Sequence, residues 1–257
     1  MELLNIAYVV AAVCFILGIK MLSHPRTARK GNSIAALGML IAIIATLSAG
    51  QAIDFKMIGI GMLIGAMIGG FAAQRVEMTQ MPQMVAIFNG FGGGASALVA
   101  SAEFYVQYSK DPTTFMLVTI ILSVLIGTLT FTGSFIAFGK LQGFISGKPI
   151  VYLGQQMINA IFVMILIGLG YSLVGLPTEL NYFYGILAIA AILGITLTIP
   201  IGGADMPVVI SLLNSYSGLA AAATGFVLMN NALIISGALV GASGLILTRI
   251  MCKGMNR

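Results

Sequence analysis

Charged residues are scarce in this sequence. Asp, Glu, Lys and Arg make up only 7% of its 257 residues, whereas 59% are hydrophobic. A soluble domain carries about 25% charged residues. A surface with so little charge could not stay in water, so the composition excludes an ordinary soluble domain and favours an integral membrane protein.

Residues that ligate metals or form cross-links are also few. There is one histidine, and the two cysteines, Cys14 and Cys252, lie in different apolar segments. These numbers predict no metal site, and we expect both thiols to be buried and inert rather than joined in a disulfide. The sequence also lacks a glycine-rich phosphate loop and a basic run suited to nucleic acid. It therefore predicts no cofactor-binding or catalytic residue and no nucleic-acid partner for this chain itself.

Long apolar runs recur along the whole chain. A bilayer core about 30 Å thick requires about 20 apolar residues in a helix. Because Glu2 precedes the first run and no basic region or A-x-A site accompanies it, we expect a retained helix rather than a cleaved signal. The sequence therefore predicts an all-α polytopic bundle of about nine membrane-spanning helices. Their predicted bounds are 3–21, 33–50, 57–73, 83–102, 114–138, 151–174, 182–200, 207–229 and 232–251.

Basic residues divide unequally between the two sets of loops. Of the twelve Lys and Arg residues, ten lie in or beside the loops on one side of the predicted bundle and two lie on the other. The set of ten is Lys20, Arg26, Arg29, Lys30, Arg75, Lys140, Lys148, Arg249, Lys253 and Arg257. The positive-inside rule places that side in the cytosol, so we expect the amino terminus outside and the carboxyl terminus in the cytosol.

Glycines recur at a spacing of four in three of the predicted helices. Such stripes are packing faces in most membrane proteins, because small residues let helices approach closely. The stripes are Gly61, Gly65 and Gly69; Gly90 and Gly94; and Gly237 and Gly241. No internal repeat is evident, which weakens the interpretation as a secondary transporter.

Uncharged polar residues form a layer inside the predicted bundle, where no Asp, Glu, Lys, Arg or His lies deep in a span. Asn89, Ser134, Asn159 and Asn214 come from four different spans, and Gln155 lies one turn before Asn159. Each of the four lies roughly 6–12 Å from a cytosolic helix end. Amides facing hydrocarbon are costly, so we expect these groups to face the interior. They could serve as interhelical hydrogen bonds or line a water-filled vestibule open to the cytosol, and the layer as a whole favours the water path.

Asp205 is the only acid in the predicted cytosolic loop between the seventh and eighth spans. Gly202 and Gly203 precede it, and Pro207 follows at a position suited to the first turn of a helix. The pattern predicts that Asp205 lies at or near a helix N-cap, where its carboxylate can accept backbone N–H bonds.

Three parts of the chain resemble sequences of a known protein family, a resemblance that the composition alone does not show. The first is GADMPVV at 203–209 with LNSYSG at 213–218, and the second is GALVGASG at 237–244 with MCKGMNR at 251–257. The third and weaker part is FTGS at 131–134 with FGKL at 138–141. Together they resemble the membrane domain, domain II, of the beta subunit of proton-translocating NAD(P) transhydrogenase. The similarity covers essentially the whole chain, and the first part is the most specific.

The resemblance implies a function for the assembly. In that family the beta subunit has a membrane domain followed by a cytosolic NADP(H)-binding domain, so residues 1–257 would be the proton-channel domain and the NADP(H) domain would follow residue 257. The alpha subunit supplies further membrane helices and the NAD(H)-binding domain. Protons moving inward through the inner (plasma) membrane drive hydride transfer from NADH to NADP+, and the working assembly is a dimer of such units in membrane lipid.

The resemblance also implies roles for individual residues. Asp205 matches an acid thought to link the channel to the nucleotide domain, while Asn214 and Ser134 match residues in or near the proton path. Asn89 occupies a position where many family members have a histidine, and an amide cannot take up and release a proton near neutral pH. Either water carries the proton past Asn89, or a titratable group comes from the partner subunit's helices.

Two other functions fit the composition. The chain could be a secondary transporter or channel for a small solute, or a non-catalytic membrane anchor. Solute uptake by vesicles that hold this chain alone would favour the transporter. Unimpaired proton-coupled hydride transfer after changes in the polar layer would favour the anchor.

Overall fold

The computed structural model describes residues 2–49 and 54–256, and the regular secondary structure of these residues is entirely helical. Short 3-10 turns at Met78–Gln80 and Gly203–Asp205 precede the fourth and eighth helices. The helices are α1 (Glu2–Leu22), α2 (Pro25–Ser48), α3 (Phe55–Arg75), α4 (Met81–Gln107), α5 (Thr114–Gln142), α6 (Gln155–Gly175), α7 (Leu180–Thr198), α8 (Met206–Val227) and α9 (Asn231–Gly254). All nine helices of the described segments are long and apolar enough to cross a membrane. The predicted all-α, multi-pass class is therefore confirmed.

Some helix bounds differ from those predicted. α2 begins at Pro25 rather than at 33, because proline is well suited to a first helical turn. The basic residues that follow Pro25 therefore lie within the helix. α5 continues to Gln142 rather than ending at 138, and α6 begins at Gln155 rather than at 151. The predicted end of the second span at residue 50, and Arg257, lie outside the described residues.

The first of two compact units ends at Met78 and includes the hairpin of α1 and α2. The two helices are antiparallel and pack closely through small residues. A Cβ added at Gly18 would lie 2.9 Å from the Cβ of Ala35, and one at Gly38 would lie 2.8 Å from the Cβ of Cys14. Cys14 and Cys252 are both free, as expected, but they are half-buried, so the expectation of fully buried thiols is wrong.

Helix α3, in the same unit, has no buried residue. Its start is stabilised by Asp54, whose carboxylate accepts hydrogen bonds from the backbone N–H groups of Lys56 and Met57 at 2.9 and 3.2 Å. A Cβ added at Gly61, Gly65 or Gly69 would meet nothing within 4 Å among the residues that the structure describes. The predicted packing face of α3 is therefore not formed by the described part of this chain.

The second unit begins at Thr79 and is built around α5. α5 packs against α4, α6, α7 and α8, while α8 also packs against α4 and α9. Fully buried side chains of α5, among them Ile120 and Val124, fill the centre of this unit. Near the end of α4, the ring of Phe104 stacks on the ring of Phe183 of α7 at a centroid distance of 4.2 Å. This arrangement brings one face each of α4, α5 and α8 together.

Glycines form the closest helix contacts in the second unit. A Cβ added at Gly237 on α9 would collide with the backbone nitrogen of Ala222, and one at Gly218 on α8 would lie 2.5 Å from the backbone nitrogen of Gly241. A Cβ at Gly90 would lie 3.2 Å from the Cβ of Ser134. The predicted packing faces of α4 and α9 are therefore confirmed.

Replacing Gly237 with alanine is expected to destabilise the second unit by roughly 1–3 kcal/mol, the usual penalty for forcing an extra carbon into a filled contact. The matched control is Gly168→Ala on α6, because a Cβ there meets nothing within 4 Å. Alanine also favours a helix over glycine by about 1 kcal/mol, so this control should be neutral or stabilising. Thermal denaturation of the two purified variants tests the difference. Equal denaturation temperatures would contradict the close α8–α9 contact.

Candidate functional site

Three polar side chains meet where α4, α5 and α8 converge. Asn89 on α4 is only 8% exposed. Its Nδ2 donates to Ser134 Oγ on α5 at 2.9 Å, and its Oδ1 accepts a bond from Ser217 Oγ on α8 at 2.7 Å. We call Asn89, Ser134 and Ser217 the Asn89 cluster. It joins three helices through one amide, without any charged group.

Asn214 lies one helical turn before Ser217 on α8. Its main-chain carbonyl oxygen lies 2.8 Å from Ser217 Oγ and is a second acceptor for the Ser217 hydroxyl, besides Asn89 Oδ1. The side chain of Asn214 itself is half-buried. Asn214 is therefore adjacent to the Asn89 cluster along α8. The structure thus brings Asn89 and Ser134 into contact and places Asn214 one turn away from Ser217 on α8.

Asn159 is placed differently. It lies on α6, whose neighbours are α7 and α5, and no hydrogen bond joins it to the Asn89 cluster. Its Oδ1, the Oε1 of Gln155 and the hydroxyl of Tyr152 are buried without a hydrogen-bond partner among the described residues. Gln155 and Asn159 lie one turn apart in the first turns of α6, and Tyr152 lies in the segment that precedes this helix. The structure therefore does not bring all four predicted path residues into one group.

Asp205 is the last residue of the 3-10 turn that precedes α8, and it occupies the N-cap position of that helix. Pro207 lies in the first turn, as predicted. The side chain of Asp205 makes no capping hydrogen bond. The predicted N-cap position is confirmed, whereas the prediction that the carboxylate accepts backbone N–H bonds there is wrong. The backbone φ and ψ of Asp205 are −93° and −2°, which continue the turn instead of adopting the extended conformation usual at an N-cap.

Lys140 is a buried cation near the end of α5. It was expected in a cytosolic loop, but it belongs to the helix and is only 4% exposed. Its Nζ donates to the main-chain oxygens of Ile199 at 2.5 Å, Ile201 at 2.7 Å and Lys148 at 3.3 Å. An ammonium has three donors, so these carbonyls match its full capacity. We call Lys140 and these three carbonyls the Lys140 clasp.

Main-chain hydrogen bonds extend the Lys140 clasp toward Asp205. Gly203 donates its N–H to the carbonyl of Gly147 at 2.8 Å, and Ile150 donates to Ile199 at 3.4 Å. The loop after α5 is thereby attached to the segment between α7 and α8. Because Ser134 lies six positions before Lys140 on α5, one helix connects this clasp to the Asn89 cluster.

The sequence matches a known family over nearly its full length. The profile of the family described as "NAD(P) transhydrogenase beta subunit" matches residues 4–257. The chain belongs to the NAD(P) transhydrogenase beta subunit family. NAD(P) transhydrogenase subunit beta of Rhodospirillum rubrum is 46% identical over an alignment of 257 positions, which covers 98% of this chain and 55% of that protein. The same subunit from a named strain of that species matches with the same figures.

This membership confirms the resemblance of the sequence motifs to the family. The chain spans about half the length of the curated relatives it matches. With nine helices able to cross a membrane in its described residues, it is a multi-pass member of this family.

Two features of this transhydrogenase chain were missed by analysis of its sequence. Ser217 was not singled out, although its spacing of three from Asn214 places both on one face of α8. Lys140 was treated as a marker of topology because charged residues near helix ends are usually solvated. Its partners are backbone carbonyls, which no side-chain pattern reveals.

Proposed function

We propose that this chain is the proton-conducting membrane domain of a proton-translocating NAD(P) transhydrogenase, coupling inward proton flow to hydride transfer from NADH to NADP+. The observation that carries the proposal is the Asn89 cluster, a buried polar junction of three helices in a member of this family. Its hydroxyls can both donate and accept hydrogen bonds, as proton relay through water requires.

In this proposal the chain acts within a larger assembly. NADP(H) is bound by a cytosolic domain that follows residue 257 in the full subunit, and NAD(H) by the alpha subunit, which adds membrane helices. Two such units form the dimer in the inner (plasma) membrane. The unequal division of Lys and Arg supports an outside amino terminus and a cytosolic carboxyl terminus.

The complete enzyme in sealed vesicles provides the direct test. An imposed proton gradient directed toward the nucleotide side should accelerate NADPH formation from NADH and NADP+, and an uncoupler should abolish that acceleration. A rate of hydride transfer that does not respond to the gradient would overturn the proposal. Uptake of a small solute by vesicles that contain this chain alone would favour a transporter instead.

Asp205 is the residue through which we propose that the nucleotide domain acts on the membrane domain. It directly precedes α8, which carries Asn214 and Ser217, and it follows the segment held by the Lys140 clasp. A cationic group on the nucleotide domain that pairs with this carboxylate would therefore act on both α8 and the segment held by the Lys140 clasp. The first turn of α8 would transmit the effect as a rigid element.

Asp205→Asn removes the charge and keeps a side chain of the same shape. Because asparagine has the same shape and can also accept hydrogen bonds, thermal stability should change little. Proton-linked hydride transfer should fall roughly tenfold, since losing a charge-assisted hydrogen bond costs about 1.5–3 kcal/mol. The matched control is Glu179→Gln, an acid at the N-cap position of α7 that also makes no capping bond. Normal proton-linked turnover in Asp205→Asn would contradict the coupling role.

A further inference from the structure

One face of α5 carries buried hydroxyls well beyond the Asn89 cluster. Ser134, Thr130 and Ser123 recur at spacings of four and seven residues, and their side chains are 1%, 0% and 0% exposed. Such spacings place all three on the same face of a helix. The outer pair of this series is separated by eleven residues, or roughly 16 Å along the axis. The series thus covers about half of a 30 Å hydrocarbon core.

Ser123 and Thr224 form a second polar group on this face. Ser123 Oγ lies 2.5 Å from Thr224 Oγ1 on α8, and it is 3.3 Å from the carbonyls of Ser96 on α4 and Ala220 on α8. Thr224 Oγ1 also donates to the Ala220 carbonyl at 2.9 Å. The same three helices that form the Asn89 cluster therefore form this group as well. Neither Ser123 nor Thr224 contributes to the Asn89 cluster.

Thr130 lies between the two groups. It is fully buried, and its Oγ1 has no hydrogen-bond partner among the described residues. A threonine in a helix can usually bond to a carbonyl of its own preceding turn, so an unpartnered hydroxyl at this depth is unusual. A Cβ added at Gly93 on α4 would lie 2.9 Å from the Cβ of Thr130. The Thr130 side chain therefore lies at the α4–α5 contact, with its Cβ and Cγ2 facing Gly93, between two groups that are hydrogen-bonded.

Helix backbones are close together between Thr130 and Ser123. A Cβ added at Gly127 would lie 2.6 Å from the carbonyl oxygen of Gly93 and 2.9 Å from the nitrogen of Ala97. Seven residues separate Thr130 from Ser123, roughly 10 Å along the axis, which is too far for a direct hydrogen bond. Water must therefore enter at this level for the two hydroxyls to be linked, and the contact of Gly93 with Gly127 is where the helices must separate slightly.

We propose that Ser123 and Thr224 form a second station of the proton path, reached from the Asn89 cluster through Thr130 and bridging water. This inference rests on the proton conduction proposed above. In each step a hydroxyl or water oxygen accepts one proton and releases its own to the next acceptor. Only O–H bonds form and break, and no oxygen keeps a net charge once the proton has passed. The path then continues along the face shared by α4, α5 and α8 toward the end of the bundle that is remote from Lys140.

The double change Ser123→Ala and Thr224→Val tests the second station in the complete enzyme, reconstituted in sealed vesicles. It removes both hydroxyls and nearly preserves the side-chain volume. Proton-driven NADPH formation should fall roughly tenfold or more, within the range expected for losing a group that relays protons. Thr224→Ser keeps the hydroxyl and should restore most of the rate relative to Thr224→Val. Thr196→Val is the matched control, because within the described segments that hydroxyl on α7 bonds to the Leu193 carbonyl of its own helix.

The outcomes separate this inference from the proposed function. If the unchanged enzyme shows no response to a proton gradient, the proposed function fails. If the unchanged enzyme responds and the double variant responds equally, only the second station is overturned. Should the double variant fail to assemble, Thr224→Val and Thr224→Ser are compared alone. Equal gradient-driven rates in these two would overturn the proposal, and a rate retained only by serine would support it.

Discussion

Asn89→Leu is expected to reduce proton-driven NADPH formation by roughly five- to 160-fold while the complex remains assembled. Leucine has a similar size but can neither donate to Ser134 nor accept from Ser217, so both hydrogen bonds of the Asn89 cluster are lost. Leaving a buried donor or acceptor without a partner costs about 1–3 kcal/mol. A change of 1.36 kcal/mol in a barrier alters a rate about tenfold. An apolar side chain at this point also disfavours water.

The measurement compares gradient-driven NADPH formation with the amount of assembled complex in the same vesicles. Asn181→Leu is the matched control, since this asparagine in the first turn of α7 is exposed. Asn89→His provides a second arm, because histidine keeps a polar group that can both donate and accept. It should remain assembled and should acquire a rate that changes between about pH 5 and 8, where imidazole commonly titrates. Full gradient-driven turnover in Asn89→Leu would show that the cluster is structural.

Lys140→Met is expected to have the larger effect on the membrane domain itself. Methionine fills a similar volume but leaves the carbonyls of Lys148, Ile199 and Ile201 without their shared donor. The Ile199 carbonyl keeps its hydrogen bond from the Ile150 N–H, and Lys148 is exposed to solvent. The loss of stability therefore comes mainly from the Ile201 carbonyl and is expected to be about 1–3 kcal/mol. The main-chain bonds of Gly203 with Gly147 and of Ile150 with Ile199 remain, but the loop after α5 and the segment before α8 should separate more often. Both thermal stability and gradient-driven turnover should fall.

Lys148→Met is the control for this prediction. It removes the same charge from the same end of the protein, but the Lys148 side chain is exposed and only its backbone carbonyl takes part in the clasp. Limited proteolysis of the loop between α5 and α6 reports the separation directly and should be faster in Lys140→Met alone. Unchanged proteolysis and denaturation temperature in Lys140→Met would contradict the clasp.

The sequence predicts how far along its helix each polar residue lies, but it does not predict which helices are neighbours. Asn89, Ser134 and Asn159 were all expected at a similar depth, because the rise of a helix is fixed and its ends are marked by charge. The structure joins Asn89 to Ser134 but leaves Asn159 on α6, which packs against α7 and α5. Residues at one depth meet only if their helices are neighbours and face each other. That choice depends on which surfaces fit together.

Backbone partners were likewise hidden in the sequence. Lys140 carries a charge, and charged side chains near helix ends are usually solvated, so a loop position was the natural expectation. Its actual partners are main-chain oxygens at positions that are distant in sequence. Serine and threonine are an equally weak indication of contacts between helices, because each can bond to a carbonyl of its own helix. Ser123 and Thr224 gain meaning only because α5 and α8 bring their hydroxyls together.

The sequence by itself determined the membrane class, the number of spanning helices and the family, because hydrophobic length and local motifs are properties of continuous segments. It also determined that the polar layer is uncharged. Only the tertiary structure decided which polar residues touch, since a helix buried in a bundle presents several faces and the sequence does not say which neighbour each face meets. Gly93 and Gly127 illustrate the reason: without side chains, they let α4 and α5 approach until their backbones touch, and this close packing places the hydroxyls of α5 against α4 and α8.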